Sequence, residues 1–175
     1  MSWGDEFLTE SEKRKRRCCF TGHRPEKLYS TESEIKAALA LAIEDALAAG
    51  KLTFISGMSR GVDIWAAELV LKYREANSSI HLICAIPHPD FEKRWSPHWQ
   101  QRYRAILQEA DLIKTISTSF SMSSYQIRNE WMVDRSALVI AVFNGEHGGT
   151  KNTIDYARSQ DIDIVMINAQ RSTNT

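Results

Sequence analysis

Six short apolar runs alternate with stretches of helical periodicity along this chain, and that alternation restricts the fold more than any other feature. The runs cover residues 17–21, 52–56, 80–86, 111–116, 137–143 and 162–167. Ala137 to Phe143 is apolar throughout rather than at every second position. A strand buried on both faces reads that way, and such strands belong to parallel sheets covered by helices on both sides. Between the runs, Thr31 and Glu34 have the spacing of a capping box. Ile35, Leu39, Ile43 and Leu47 then recur every fourth residue, and Gly50 is a stop signal. Residues 62–75 are apolar on most sides, which predicts a well-buried helix. Further helices are expected in the second half of 91–109, from a Ser123 or Ser124 cap to about Arg135, and over 150–160 with Thr150 as N-cap.

The expected order is βαβαβαβαβαβ with right-handed crossovers. That is an α/β fold: a single Rossmann-like three-layer domain with a mostly parallel sheet, spanning residues 17–169. Residues 1–16 and 170–175 are expected to be loose tails. The 22 Lys and Arg residues balance 22 Asp and Glu residues in a chain of 175. A net charge of zero disfavours a general polyanion binder, whose affinity rests on a basic field. The one basic block, Lys13 to Arg17, leads into the domain and reads as a solvated tail.

Three cysteines, two of them adjacent at Cys18 and Cys19, have no disulfide framework and point to free thiols in a reducing compartment. No apolar run approaches membrane-spanning length, and the N-terminus has no signal-like stretch. A cytoplasmic protein without membrane contact is expected. His88, Asp90 and His98 lack metal-ligand spacing, so neither a metal nor a cofactor is expected.

In an open parallel sheet, ligands bind beyond the carboxyl ends of the strands. The loops at those ends are the candidate site. Gly22, His23 and Arg24 follow the first strand, and Arg24 is a fork for phosphate or carboxylate. Ser56, Gly57, Arg60, Gly61 and Asp63 follow the second and run into a helix whose first N–H groups suit an anion. Gly148, Gly149 and Thr150 follow the fifth in the same way, with Lys151 as a further charge. Asp63 either complements the helix dipole or accepts ribose hydroxyls. Aromatic residues gather mid-chain: Trp65 and Trp131 read as core, while Trp95 and Trp99 are divided between packing and covering a ligand.

Taken together, Gly22-His23-Arg24-Pro25-Glu26-Lys27-Leu28, Ser56-Gly57-Met58 with Gly61-Val62-Asp63 and Ala66-Ala67-Glu68, Arg128-Asn129 with Met132-Val133-Asp134, and Gly148-Gly149-Thr150 resemble the YpsA-like proteins. These are a bacterial and phage group within the SLOG superfamily, named for Smf/DprA and the LOG enzymes. The resemblance runs from about Cys18 to about Asn168. It implies a Rossmann-like fold whose glycine loops bind a nucleotide or nucleotide-derived ligand, with Asn129 joining Asp63 on the sugar or base. It also implies a homo-oligomer, and it implies no particular reaction.

Departures within the superfamily narrow the rival readings. LOG-type phosphoribohydrolases carry a glutamate soon after the threonine of their glycine loop. Here Thr150 is followed by Lys151-Asn152-Thr153-Ile154-Asp155, so an N-glycosidic hydrolase would need Glu68, Asp63 or Glu146 instead. A DprA-like module would place single-stranded DNA on a basic groove with stacking aromatics. The aromatics are present, but the neutral charge and the expected lack of a further domain speak against it.

Overall fold

A computed structural model describes residues 7–170. The six apolar runs become β1 (Arg17–Gly22), β2 (Thr53–Ser56), β3 (His81–Ile86), β4 (Leu112–Thr115), β5 (Leu138–Phe143) and β6 (Asp163–Asn168). They form one sheet in the order β4-β3-β2-β1-β5-β6. Every pairing is parallel, so the sheet is wholly rather than mostly parallel. The helices are α1 (Glu10–Lys15), α2 (Glu32–Ala48), α3 (Val62–Ala76), α4 (Pro97–Glu109), α5 (Ser123–Asp134) and α6 (Gly149–Ser159).

Alternation along β1 sorts its side chains onto two cores. Cys18 and Phe20 point into a core shared with α2, α3 and α4. Cys19 points the other way, into a smaller core shared with α5 and α6. This is the two-sided burial that the uninterrupted apolar runs predict. The capping box at the start of α2 forms as expected: Glu34 N–H donates to Thr31 Oγ1 at 3.2 Å, and Thr31 N–H donates to the Glu34 carboxylate at 2.7 Å. In α4, Tyr103 and Ile106 are buried, as their spacing requires.

Some local expectations are corrected. Thr150 lies inside α6, whose N-cap is Gly148. Neither Ser123 nor Ser124 caps α5, which starts after Met122 without a side-chain cap. Residues 10–15 form a helix instead of a loose tail. Thr9 and Glu12 build a capping box there, Arg14 donates to the Ser136 carbonyl at 3.1 Å, and Arg17 pairs with Glu10 at 2.6 Å. The remaining tail expectations, for residues 1–6 and 171–175, fall outside the described residues. β4 stands at one edge of the sheet and is exposed along its whole length.

Cys18, Cys19 and Cys84 are all free and buried. Burial raises each thiol, Cys19 and Cys84 to about 12. Thiolates are the reactive form, so these groups are inert while the protein is folded. A thiol reagent such as DTNB at pH 8 is expected to titrate all three only after denaturant is added; rapid labelling of the native protein would contradict this packing.

Candidate functional site

β1 has β2 on one side and β5 on the other, so the chain reverses its direction of travel across the sheet beside β1. Parallel α/β sheets open a crevice at such a reversal. Here the crevice is a cleft of about 980 Å³ at the carboxyl edge. The loops after β1 and β5 form one end and are fastened together: Asn144 Nδ2 donates to the Lys27 carbonyl at 2.9 Å, and Tyr29 Oη contacts Glu146 at 3.2 Å.

The structure divides the expected site residues into two groups. Gly22, His23, Arg24, Arg60, Asp63, Asn129, Gly148, Gly149 and Thr150 all line the cleft. Ser56, Gly57 and Gly61 do not line it; they lie buried behind its wall. Ser56 Oγ donates to the Asp63 carbonyl at 2.8 Å and accepts the Met58 N–H at 3.2 Å. Met58 has a positive φ of 61° and is fully buried, plugging the larger core. The turn after β2 thus holds the start of α3 in place instead of presenting its own surface.

The glycines separate by what a side chain would meet. A Cβ on Gly22 would lie 2.5 Å from Val62, where β1 packs on α3. One on Gly57 would lie 3.0 Å from both the Arg128 guanidinium carbon and Asp63 Oδ2. At Gly148 and Gly149 nothing lies within 4 Å. Gly148 caps α6 and Gly149 begins it, and both line the cleft, so the helix start, whose first N–H groups have no intrahelical acceptor, stands at the cleft wall.

Arg128 was absent from the sequence-based site and is central in the structure. It is 5% exposed. Its guanidinium donates to the Gly57 carbonyl at 2.5 Å and to Asn129 Oδ1 at 3.1 Å from two nitrogens. Asn129 therefore has its oxygen occupied and keeps its NH2 group as a donor. Asp63 Oδ2 accepts the Ser59 N–H at 3.2 Å, while Oδ1 is buried without a hydrogen-bond partner. Burial pushes the Asp63 carboxyl up to about 6, against the opposing pull of the Arg128 charge.

His23 stacks on Phe143 with ring centroids 5.8 Å apart, and its Nε2 also has no partner. Burial, with Lys27 nearby, lowers its pKa below the ordinary imidazole value. Two orphaned polar groups in the wall of one cleft are unusual, because buried polar atoms are nearly always paired.

Charge is concentrated here although the chain is neutral. Six cationic side chains line the cleft (Arg24, Lys27, Arg60, Lys93, Arg94 and Arg128) against two carboxylates, Asp63 and Asp90. Arg60 is held by Glu26 at 2.9 Å, and Lys151 is held by Asp155 on α6. Arg24, Lys27, Lys93 and Arg94 are exposed. The tryptophans also separate: Trp95 lines the cleft. Trp99 instead tilts against Trp65 at 6.2 Å under Arg102, and Trp131 packs into the smaller core beneath Arg135.

Two outcomes follow from these contacts. Gly22→Ala should cost about 1–3 kcal/mol in urea unfolding through overpacking, while Gly149→Ala should leave stability unchanged or raise it by up to about 1 kcal/mol; equal effects would contradict the contacts. For Asp63, a folded-state value near 6 against 3.8 for the free group means that the folded protein holds the proton more tightly. The stabilising contribution of the protonated carboxyl is complete below pH 4 and is lost as pH rises through 6. Asp63→Asn should therefore gain on the wild type by about 3 kcal/mol between pH 4 and pH 8; a pH-independent difference would refute the shift.

Comparison with known proteins agrees with this architecture. The B. subtilis SPbeta prophage-derived protein YoqJ is 30% identical over 141 residues, covering 73% of this chain and 82% of that one. A UPF0398 protein of Bacillus pumilus is 27% identical over 125 residues, and the match spans 65% of its length. Among solved structures, DNA processing protein A (DprA) from Streptococcus pneumoniae superposes with a TM-score of 0.60 at 14% identity, over 90% of this chain and 52% of that one. DprA from Helicobacter pylori, described with a single-stranded DNA binding mode, gives 0.61 at 17% identity, over 91% and 68%. At these identities the structural likeness speaks to the fold alone. The YpsA family model, described as the YspA SLOG family, matches residues 18–171, from the first strand through the last, and the chain belongs to that family.

Proposed function

We propose that the protein binds a nucleotide or nucleotide-derived small molecule in the cleft at the carboxyl edge of the sheet. The observation that carries this reading is the start of α6. Gly148 and Gly149 line the cleft with open space where a Cβ would stand, and they share it with the exposed Arg24 and Lys27. Helix N-termini favour anions through their unpaired N–H groups and the helix dipole, and a phosphate fits both. The unpaired Asp63 Oδ1 and the Asn129 NH2 group suit the hydroxyls and ring edges of a nucleoside. Family membership and the position of the cleft at the sheet's reversal support the same reading.

A second reading rests on Asp63. A carboxyl near 6 exchanges its proton close to neutrality, as general acid–base work requires. Water would add across the bond between base and ribose, giving free base and ribose phosphate without redox change. Product analysis after incubation with nucleoside monophosphates tests this; no free base would remove it.

Isothermal titration with AMP, ADP and ADP-ribose tests the main reading. The wild type is expected to bind at least one of them, with affinity falling as salt rises. Gly149→Trp should fold normally, because its Cβ meets nothing, yet lose at least tenfold in affinity. The reading fails if no nucleotide binds the wild type, or if Gly149→Trp binds equally well.

A further inference from the structure

The end of the cleft away from α6 is built differently. The loops after β3 and β4 and the first turn of α5 bring together His88, Phe91, Phe120 and Tyr125, all lining the cleft. The His88 ring stands nearly perpendicular to the other three, with centroids 5.1 Å from Phe120, 5.7 Å from Phe91 and 5.8 Å from Tyr125. Trp95 joins at 5.0 Å from Phe91. His88 Nδ1 lies 2.7 Å from the Pro89 carbonyl, which can only accept, so Nδ1 carries the proton. Nε2 is then an acceptor facing the Tyr125 hydroxyl at 3.4 Å. This pair holds the rings in place, while Phe120 remains 61% exposed on its loop. An exposed ring braced by the buried His88 and the half-buried Tyr125 forms a stacking platform, and sequence-tolerant stacking of heterocycles is what such platforms do.

The sheet measures the distance between the two ends. Neighbouring strands are about 4.8 Å apart. From β5 to β3 is three steps, and to β4 four, so the strand ends below the two regions are about 14–19 Å apart. In a mononucleotide, only one sugar separates the phosphate from the base, and that is too short to rest on both ends at once. We propose that the cleft has two subsites, an anion site at Gly148–Gly149 and a ring-stacking site at Phe120, and that its ligand is of dinucleotide size. Its chemistry is a terminal phosphate at α6 and a heterocycle one further nucleoside away, as in a 5′-phosphorylated dinucleotide. This rests on the nucleotide reading above and extends it.

Calorimetry with AMP and 5′-phosphorylated diadenylate on the full chain tests the proposal. The diadenylate should bind the wild type about tenfold tighter than AMP, the size of one stacked base. Phe120→Ala should abolish that gain and leave AMP affinity unchanged, and Phe120→Trp should restore it. Phe120 is exposed, so both variants should melt like the wild type. Equal affinities for the two ligands would overturn the proposal. So would a loss of AMP binding in Phe120→Ala as large as the loss of diadenylate binding. A twelve-nucleotide oligoadenylate binding a further tenfold tighter would replace the dinucleotide with a strand. If Gly149→Trp abolishes AMP binding while Phe120→Ala has no effect, the stacking site falls and the anion site stands; if nothing binds the wild type, both fall.

Discussion

The buried guanidinium of Arg128 is the interaction on which the cleft depends. Arg128 belongs to α5, which packs on one face of the sheet, while the turn it grips leads into α3 on the other. By donating to the Gly57 carbonyl it ties the two helical layers together over the carboxyl edge. A buried charge is tolerated only when its hydrogen bonds are met, and removing a partner from such an arrangement typically costs about 3–5 kcal/mol. The surrounding residues follow from that demand. A Cβ at residue 57 would lie 3.0 Å from the guanidinium carbon, so any larger residue there would make the buried guanidinium yield. Asn129 turns its oxygen inward, and Asp63 lies close enough for the two charges to influence each other.

This arrangement changes the meaning of the glycine-rich loops. Read from the sequence, the turn after β2 and the turn after β5 are equivalent: each is a glycine cluster running into a helix. In three dimensions the first is filled. Gly57 packs tightly on Arg128 and Asp63, and Gly61 lies against His23 and Pro25 with a φ of 89° that other residues rarely adopt. Only the second turn leaves its helix start open. The distinction is one of packing density, and a glycine codon pattern carries no record of what occupies the space beside it.

The fold was legible because its signals are local. Apolar runs set the strands, four-residue spacing sets α2, and Thr31 with Glu34 marks its start. α1 carried the same mark, Thr9 followed by Glu12, but has no apolar face to draw attention to it. The N-cap of α6 was misplaced by two residues because a glycine N-cap has no side chain to announce itself. Most of the cleft lining was readable from the loops as a set. Arg128 was not, since its partner Gly57 lies 71 residues away and nothing in the local sequence marks a long-range guanidinium contact. Phe91 and Phe120 were missed for a related reason: a phenylalanine in a loop takes its meaning from the rings folded against it.

Neutral overall charge and a cationic cleft are compatible, because the carboxylates are spent elsewhere. Glu32 and Glu68 are held by Arg102 and Lys36 along α2 to α4, and Glu109 and Asp111 are held by Arg74. Pairing those acids on the flank leaves Arg24, Lys27, Lys93 and Arg94 exposed at the rim. Interactions between exposed charges fade beyond about 8 Å at physiological salt. The local excess around the cleft is therefore felt within it, while the balance over the whole surface prevents a long-range basic field. A short anion with a ring to stack suits that combination better than a polymer held by charge alone.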